Sequence, residues 1–411
     1  MIDTNATQEQ DERTDGKLSS SPIVCVSDVF WDEHWSIEQQ VMSRLAAGHR
    51  VLYVERPVSL LSFFTGCSDG SIGRQFWRWL RGGLRKERAN LMILTPPPFL
   101  PFRYNRVVNK LNQWTRVFSV RRAMKRLDLE APVLWIYEPD AGVMVGTLGE
   151  VFSLYYCGDD WGSSQQWWNN AEEIRARETE LASKVDLVVG TATRIVERWK
   201  TTVKNTLLVS NGADVTSFMA ARDGALQVPE DLIRIPAPRI GYVGFVNGRF
   251  DTRLYERLAE LRPEWHWVII GPLMERHVDL SRLRGMPNVH FLGARSRESL
   301  PAYLSGLDVC TIPYICNKMS ESIFPLKLFE YLAAGRQVVS TALPELAIFT
   351  EHLRIARTPE EFAMSIEMSL SAPLPRVSDE FLAANSWDSK AAFLSQWVSR
   401  SVREARAAVA G

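Results

Sequence analysis

The chain has 411 residues, enough for two or three domains at roughly 150 residues each. Apolar residues make up 46% and charged residues 23%, an ordinary globular composition. No run of about eighteen apolar residues occurs, which excludes a membrane-spanning helix. The five cysteines (25, 67, 157, 310 and 316) are odd in number and contain no C-x-x-C or zinc spacing. Three of them sit in strand-like runs and read as small buried hydrophobes, and a reducing cytosol is expected.

Net charge is zero, but it is unevenly spread. Residues 70–126 carry fourteen Lys and Arg against one acid, Glu87.

The first twenty residues, "MIDTNATQEQDERTDGKLSS", are polar and acidic, lack the order of a signal peptide, and read as a disordered tail. Strand-like runs then alternate with helical patterns. "IVCVSD" precedes an amphipathic stretch, Ser36 to Ala47, and "VLYVE" follows. "LMILT" ends at a proline cluster, a long basic helix pattern spans Tyr104 to Leu127, and "VLWIY" comes next. "VFSLYYC", "GDDW", a charged helix, "DLVVGT" and "LLVSNGAD" complete a doubly wound α/β domain over 21–205.

"VPEDLIRIPAPR" reads as a linker. "RIGYVGF", "HWVIIG", "VHFLG" and "DVCTIPY" then alternate with helices in a second such domain, 206–385. A last helix, within 386–411, packs back towards the first domain. Two α/β domains place a cleft between them, with ligands at the carboxyl ends of the strands.

The stretch "SESIFPLKLFEYLAAGRQVVST", Ser320 to Thr341, is the most telling. Pro325 suits a first helical turn. Leu326, Phe329, Leu332 and Ala333 give an apolar stripe, and Gly335 stops the helix. Lys327 and Glu330 share one face. A cation at a helix start opposes the dipole, so Lys327 needs a local reason. That reason is either an ordinary surface ion pair with Glu330 or an anion such as a diphosphate held at the helix end.

"NGADVTSF", "IGYVGFVNGRFD", "WVIIGP", "NVHFLG", "LPAYLSGLDVCTIPY", "PLKLFEYLAAGRQVVST" and "NSWDSKAAFL" occur in the order and spacing of a known family. On these motifs, over residues 205–400, the chain resembles the GT-B fold glycosyltransferases of the large retaining group called family 4. The bacterial enzymes of surface-polysaccharide assembly, including those of teichuronic acid, are the nearest subgroup. "QQVMSRLAAGHRVLYVERP" and "YYCGDDW" extend the resemblance into the first domain.

The resemblance implies a nucleotide-diphosphate sugar on the second domain and an acceptor on the first. It implies that Glu330 binds the donor ribose, and that Lys327 neutralises phosphate charge. Ser322, Ile323 and Phe324 would hold the diphosphate or the sugar, with Gly244, Asn247 and Arg249 beside them. Two positions depart from the family. Ser322 stands where it usually has a Glu that contacts the sugar, with Glu321 one place away. Phe245 stands where it often has a phosphate-binding Arg, leaving Arg249 as the nearby cation.

In the first domain, Asp159 and Asp160 follow a strand end and are either a base or oxocarbenium-stabilising pair or a helix cap. His34, in the loop after the first strand, is either structural or a contact to acceptor or phosphate; Asp28 is a weaker candidate. No metal motif occurs, and helix dipoles with Lys327 offset the leaving diphosphate, so no metal or cofactor is expected.

"RQFWRWLRGGLRKER" mixes Arg with aromatics. Trp77, Trp79, Arg78 and Arg81 are expected to face the inner leaflet of the cell membrane or a polyprenyl-linked acceptor. The competing reading makes Phe76, Trp77 and Leu80 ordinary core. No nucleic-acid fold signal accompanies the charge.

The expected protein is therefore a cytoplasmic, peripherally membrane-bound glycosyltransferase that retains anomeric configuration. The alternatives are a non-catalytic nucleotide-sugar-binding subunit or a nucleotide-sugar epimerase of the same fold.

Overall fold

The structure, a computed structural model, describes residues 21–33, 35–61, 70–102, 105–159, 161, 171–275 and 277–410. Its first strands and helices are β1 (Ile23–Val26), α1 (Ile37–Leu45), β2 (Val51–Val54), α2 (Gly70–Leu80), β3 (Leu84–Arg88), β4 (Leu91–Leu94), α3 (Arg106–Leu127) and β5 (Val133–Ile136). Next come β6 (Phe152–Cys157), α4 (Ala171–Lys184), β7 (Leu187–Gly190), α5 (Thr193–Trp199) and β8 (Thr206–Leu208). The second series comprises α6 (Val215–Arg222), β9 (Arg239–Val243), α7 (Thr252–Leu261), β10 (His266–Ile270), β11 (Val289–Gly293), α8 (Leu300–Ser305) and β12 (Val309–Ile312). It ends with α9 (Lys327–Ala333), β13 (Gln337–Thr341), β14 (Arg354–Ala356), α10 (Pro359–Ser371) and α11 (Trp387–Ala410).

The strands form two sheets, β3-β4-β2-β1-β5-β6-β7-β8 and β11-β10-β9-β12-β13-β14. Without the antiparallel edge strand β3 and the terminal β8, the first sheet runs 3-2-1-4-5-6 in order of appearance, and the second sheet repeats that order. Each is the doubly wound arrangement expected from the sequence, with a switch point where the strand order reverses. β1, β2 and β5 are four-residue apolar runs buried throughout, as parallel strands covered on both faces must be.

Compactness divides the chain into two units, Met1–Leu154 with Leu394–Gly411, and Tyr155–Phe393. The second unit's core packs around β9 to β13. Tyr242, Phe250, Tyr255 and Trp267 form an edge-to-face ladder with centroids 4.9, 4.8 and 5.2 Å apart. Each such burial stabilises the fold by about 1.5–3 kcal/mol. Asp251 caps α7 by accepting from the Leu254 amide, and Thr358 caps α10 by accepting from that of Glu361.

One local reading of the sequence is revised and two others are decided. The helix expected from Pro325 begins at Lys327. Before it, the Leu328 and Phe329 amides reach back only three residues, to the Pro325 and Leu326 carbonyls, in the tight turns common at helix starts. Trp77 and Leu80 are exposed rather than core, whereas Gln75 of the same helix is buried. Cys25, Cys157 and Cys310, the three in strand-like runs, are buried as expected, and Cys316 is exposed; Cys67 lies outside the described residues. Among the described residues, no helix is long and apolar enough to cross a membrane.

Candidate functional site

The second sheet's switch point lies between β9 and β12. These strands pair only at Ile240↔Val309 and Gly241↔Cys310, so they part towards their carboxyl ends, where a doubly wound sheet has its ligand crevice. Glycines line it. Gly244, just past β9, has φ +144°, and Gly271, just past β10, has φ +143°. A Cβ on Gly271 would lie 2.0 Å from the Gly244 carbonyl oxygen, so the two loops touch main chain to main chain. A Cβ on Gly244 would lie 3.1 Å from Lys327 Nζ. The first turn of α9 therefore delivers an ammonium directly onto the bare backbone at the end of β9.

Lys327 is held there by aromatic rings. Its Nζ donates to the Tyr314 hydroxyl at 2.6 Å and sits 4.9 Å from the centroids of both Tyr242 and Tyr314. Such cation–π contacts favour a desolvated ammonium. Burial alone would raise the Tyr314 phenol. The Lys327 ammonium, with Arg249 beyond it, outweighs burial and holds Tyr314 below the usual tyrosine range. Tyr242, buried and facing Tyr314, is pushed well up. The Tyr242 hydroxyl donates to the Phe245 carbonyl at 2.7 Å, and Tyr331 accepts from the Val243 amide at 2.9 Å. Both fix the loop that leaves β9.

Across this loop, Asn247 Oδ1 accepts from the Arg249 amide at 3.0 Å, and Arg249 Nη2 lies 3.2 Å from Asp159 Oδ1. The Asp159 carboxylate raises the Arg249 guanidinium above its already high value. The Asp251 amide donates to the Pro313 carbonyl and the Ile315 amide to that of Arg249, which ties the β9 loop to the chain after β12.

One turn along α9, Glu330 is half-buried. Desolvation raises its carboxyl above the usual range, against the pull of Arg297 and Lys327. Arg297 Nη2 is buried without a hydrogen-bond partner among the described residues and lies 3.9 Å from Asp214. Ser322 is buried in a short 3-10 turn. The Ser322 and Ile323 amides donate to the Met319 and Ser320 carbonyls, while the Phe324 carbonyl accepts from Asn211 Nδ2 at 3.1 Å. Asn211 Oδ1 is buried and unpartnered. Glu321 is ion-paired with Arg194.

The structure thus gathers Gly244, Asn247, Arg249, Lys327 and Asp159 around the switch point. Glu330 follows one helical turn on, and Ser322, Ile323 and Phe324 lead into the helix. His34 and Asp160 lie outside the described residues. Of the aromatic and basic group on α2 and beyond, Trp77 and Arg81 are exposed, Trp79 is half-buried, and Arg78 is ion-paired with Asp32. The sequence reading missed Tyr314, Tyr242, Asn211 and Arg297. Tyr314 carried a usable signal, since it stands two residues past a buried strand that the doubly wound order sets at the switch point. No three His, Cys, Asp or Glu among the described residues are grouped to hold a metal ion.

Residues 237–371, which contain β9 to β13 and the switch point, match the family model described as Glycosyl transferases group 1. TuaH of Bacillus subtilis (strain 168), assigned to teichuronic acid biosynthesis as a glycosyltransferase, is 24% identical over 258 residues. The match takes in 57% of this chain and spans 64% of that relative's length. Sucrose-phosphate synthase from Thermosynechococcus elongatus superimposes with a TM-score of 0.66 at 17% identity, over 93% of this chain and all of that one. An E. coli trehalose-6-phosphate protein solved with UDP-2-fluoro glucose gives 0.65 at 13% identity, over 92% and 99% of the two chains. Anabaena Alr3699/HepE in complex with UDP gives 0.63 at 13% identity, over 93% and 100%. At these identities the structural likeness shows the fold alone, which is GT-B, and the likeness to the group 1 glycosyltransferases covers residues 237–371.

Proposed function

We propose that this chain, a GT-B glycosyltransferase by its fold and its group 1 domain, moves a sugar from a nucleotide-diphosphate sugar to a hydroxyl of a glycan or polyprenyl-linked sugar. The setting would be assembly of a bacterial surface polysaccharide, a reading supported by the role assigned to TuaH. The structural neighbours held with UDP and with UDP-2-fluoro glucose favour a nucleotide-diphosphate donor.

The observation that carries the proposal is the Lys327 ammonium packed over Gly244 at the switch point. An ammonium has three protons and Tyr314 takes one, which leaves donors for phosphate oxygens. The bare Gly244 backbone lets those oxygens approach closely. Arg249 supplies a second positive charge, and Glu330 accepts from the vicinal ribose hydroxyls. Asn247 fixes the turn that carries Arg249, and Ser322, Ile323 and Phe324 border the sugar. In the reaction, the bond from the anomeric carbon to the diphosphate breaks and the bond to the acceptor oxygen forms on the same face. The acceptor's proton passes to the leaving diphosphate, and configuration is retained. Lys327 and Arg249 offset the charge that develops on the leaving group, so the step needs no metal. A polyprenyl-linked acceptor would place the reaction at the inner face of the cell membrane.

Transfer of label from a panel of nucleotide sugars to membrane extract tests the proposal. Label should reach lipid or glycan, and Glu330→Ala should lose it; undiminished transfer by Glu330→Ala would remove the ribose assignment. A second reading, a donor-binding subunit without catalysis, draws on Ser322 and on the pairing of Glu321 with Arg194. Tight donor binding with neither transfer nor hydrolysis across all acceptors would favour it.

A further inference from the structure

Helix α3 of the first unit turns polar residues inward along its N-terminal half, while Val117, Val120, Ala123 and Met124 of its C-terminal half are buried in the ordinary way. The face turned into the protein carries Asn112, Gln113 and Arg116, all buried. Arg116 pairs with Glu138 at 2.6 Å, and Asn112 exchanges hydrogen bonds with the main chain of Leu100 at 2.8 and 3.2 Å. The outward face carries Val107, Leu111, Trp114 and Phe118, which are 77%, 52%, 55% and 70% exposed. Their spacing of four, three and four residues makes one continuous stripe. A surface helix in water normally turns such a stripe to the core, and contiguous exposed apolar surface of this kind marks an interaction site.

Charge identifies the occupant. Neither α2 nor α3 contains an acidic residue. Beyond the apolar stripe, the outward face of α3 continues as Arg121, Arg122, Lys125 and Arg126, all exposed. Arg121 is engaged with the Thr147 carbonyl, which leaves its positive charge in place. Beside the stripe opens a groove of about 510 Å³, walled by Trp79, Trp114, Phe118 and Arg122. Trp77 and Leu80 of α2 are exposed as well. An apolar stripe with Trp at its border, continued by cations without acids, is complementary to a negatively charged bilayer. Apolar side chains enter the acyl boundary while Arg and Lys meet lipid phosphates.

From this arrangement we infer that the outer face of α3 is the surface by which the protein docks on an anionic phospholipid bilayer, with the groove beside Trp114 open to lipid. The docking element is thus chiefly α3 and not the α2 cluster that the sequence singled out. The inference deepens the reading of a membrane-borne acceptor and rests on it for its biological purpose. Its test uses neither donor nor acceptor, so transfer and docking succeed or fail separately.

The test is co-sedimentation of the full chain with vesicles of phosphatidylglycerol and phosphatidylcholine, and with vesicles of phosphatidylcholine alone. The wild type should sediment with the anionic vesicles, weakly with the neutral ones, and less at high salt. Trp114→Glu with Phe118→Glu should lower the partition coefficient by about tenfold or more, and Arg122→Glu should lower it on anionic vesicles only. All three side chains are solvent-facing, so the thermal midpoint should hold and serves as the folding control. Absence of vesicle binding by the wild type overturns the inference, as does undiminished binding by the double variant. Self-association that the double variant abolishes, with no lipid binding, assigns the face to a second copy instead.

Discussion

The Lys327 ammonium donates to the Tyr314 hydroxyl at 2.6 Å, and the two residues come from different elements, the first turn of α9 and the loop after β12. The bond aims the lysine across the open end of β9 and keeps it from bulk water. Removing it in Lys327→Met should weaken binding of a nucleoside diphosphate by about ten- to a hundredfold, the worth of one charge-assisted hydrogen bond. Titration calorimetry on the purified chain measures this; unchanged affinity would detach Lys327 from the phosphates.

The same pair gives a spectroscopic prediction. Tyr314 ionises below the usual tyrosine range because Lys327 and Arg249 outweigh its burial. Tyrosinate absorbance should show one component titrating early. That component should vanish in Tyr314→Phe and move up in Lys327→Met. The sign for stability follows from proton counts. Between the lowered value and the ordinary one near about 10, native Tyr314 has lost its proton while the unfolded chain keeps it. Stability relative to Tyr314→Phe should therefore rise with pH in that window and be lost as pH falls through the native value.

Gly271 and Gly244 predict a contrast. A methyl on Gly244 meets the flexible end of Lys327, whereas one on Gly271 meets the Gly244 carbonyl at 2.0 Å. Both positions also have positive φ, which costs a non-glycine residue about 1–3 kcal/mol. Gly271→Ala should be the more destabilising of the two in chemical denaturation. Gly244→Ala should fold yet bind nucleoside diphosphate poorly, because its methyl occupies the approach to the lysine.

How much of this was legible in the sequence depends on the range of the interactions. The alternation of buried runs and helices and the glycines at strand ends are local, and they led to the doubly wound fold, whereas the donor site on the second domain was an expectation from the family resemblance. The Tyr242–Lys327–Tyr314 clamp is not local, because it exists only once β9 and β12 are neighbours. The face of α3 was illegible for a related reason. Its sequence offers two competing stripes, and the choice is made by Glu138 and the Leu100 main chain, which satisfy Arg116 and Asn112 inside. The start of α9 moved by two residues because tight turns, invisible to periodicity, take up its entry.

Arg116 tests that choice. Its guanidinium is fully buried against a nearly buried Glu138, and it also donates to the Ser27 carbonyl at 3.3 Å. Arg116→Met leaves a carboxylate uncompensated in the interior. It should cost about 3–5 kcal/mol, far more than an exposed pair would. Arg116→Met together with Glu138→Gln should recover part of that loss, since the unpaired charge is gone. Urea denaturation of the two variants separates the outcomes, and equal losses would mean that the pair does not hold the N-terminal half of α3 in its orientation.

Glu330 gives the pH dependence of donor binding. Desolvation holds its carboxyl above the usual range, with Arg297 and Lys327 pulling the other way. The ionised carboxylate accepts strongly from both ribose hydroxyls, whereas the protonated form keeps only its carbonyl oxygen as a good acceptor, so donor affinity should fall as pH drops through this raised value and reach a plateau above it. Folding has the opposite sign. The native state keeps the Glu330 proton longer than the unfolded chain, so this group's stabilising contribution is complete below the ordinary glutamate value and is lost as pH rises through the raised one. Binding and stability should thus move in opposite directions across one window. Glu330→Gln should flatten both profiles, because glutamine does not titrate there and still offers an acceptor oxygen. Calorimetry of nucleoside diphosphate binding and denaturation at matched pH values measure the two curves. A binding curve whose acid limb survives in Glu330→Gln would assign the titration to another group.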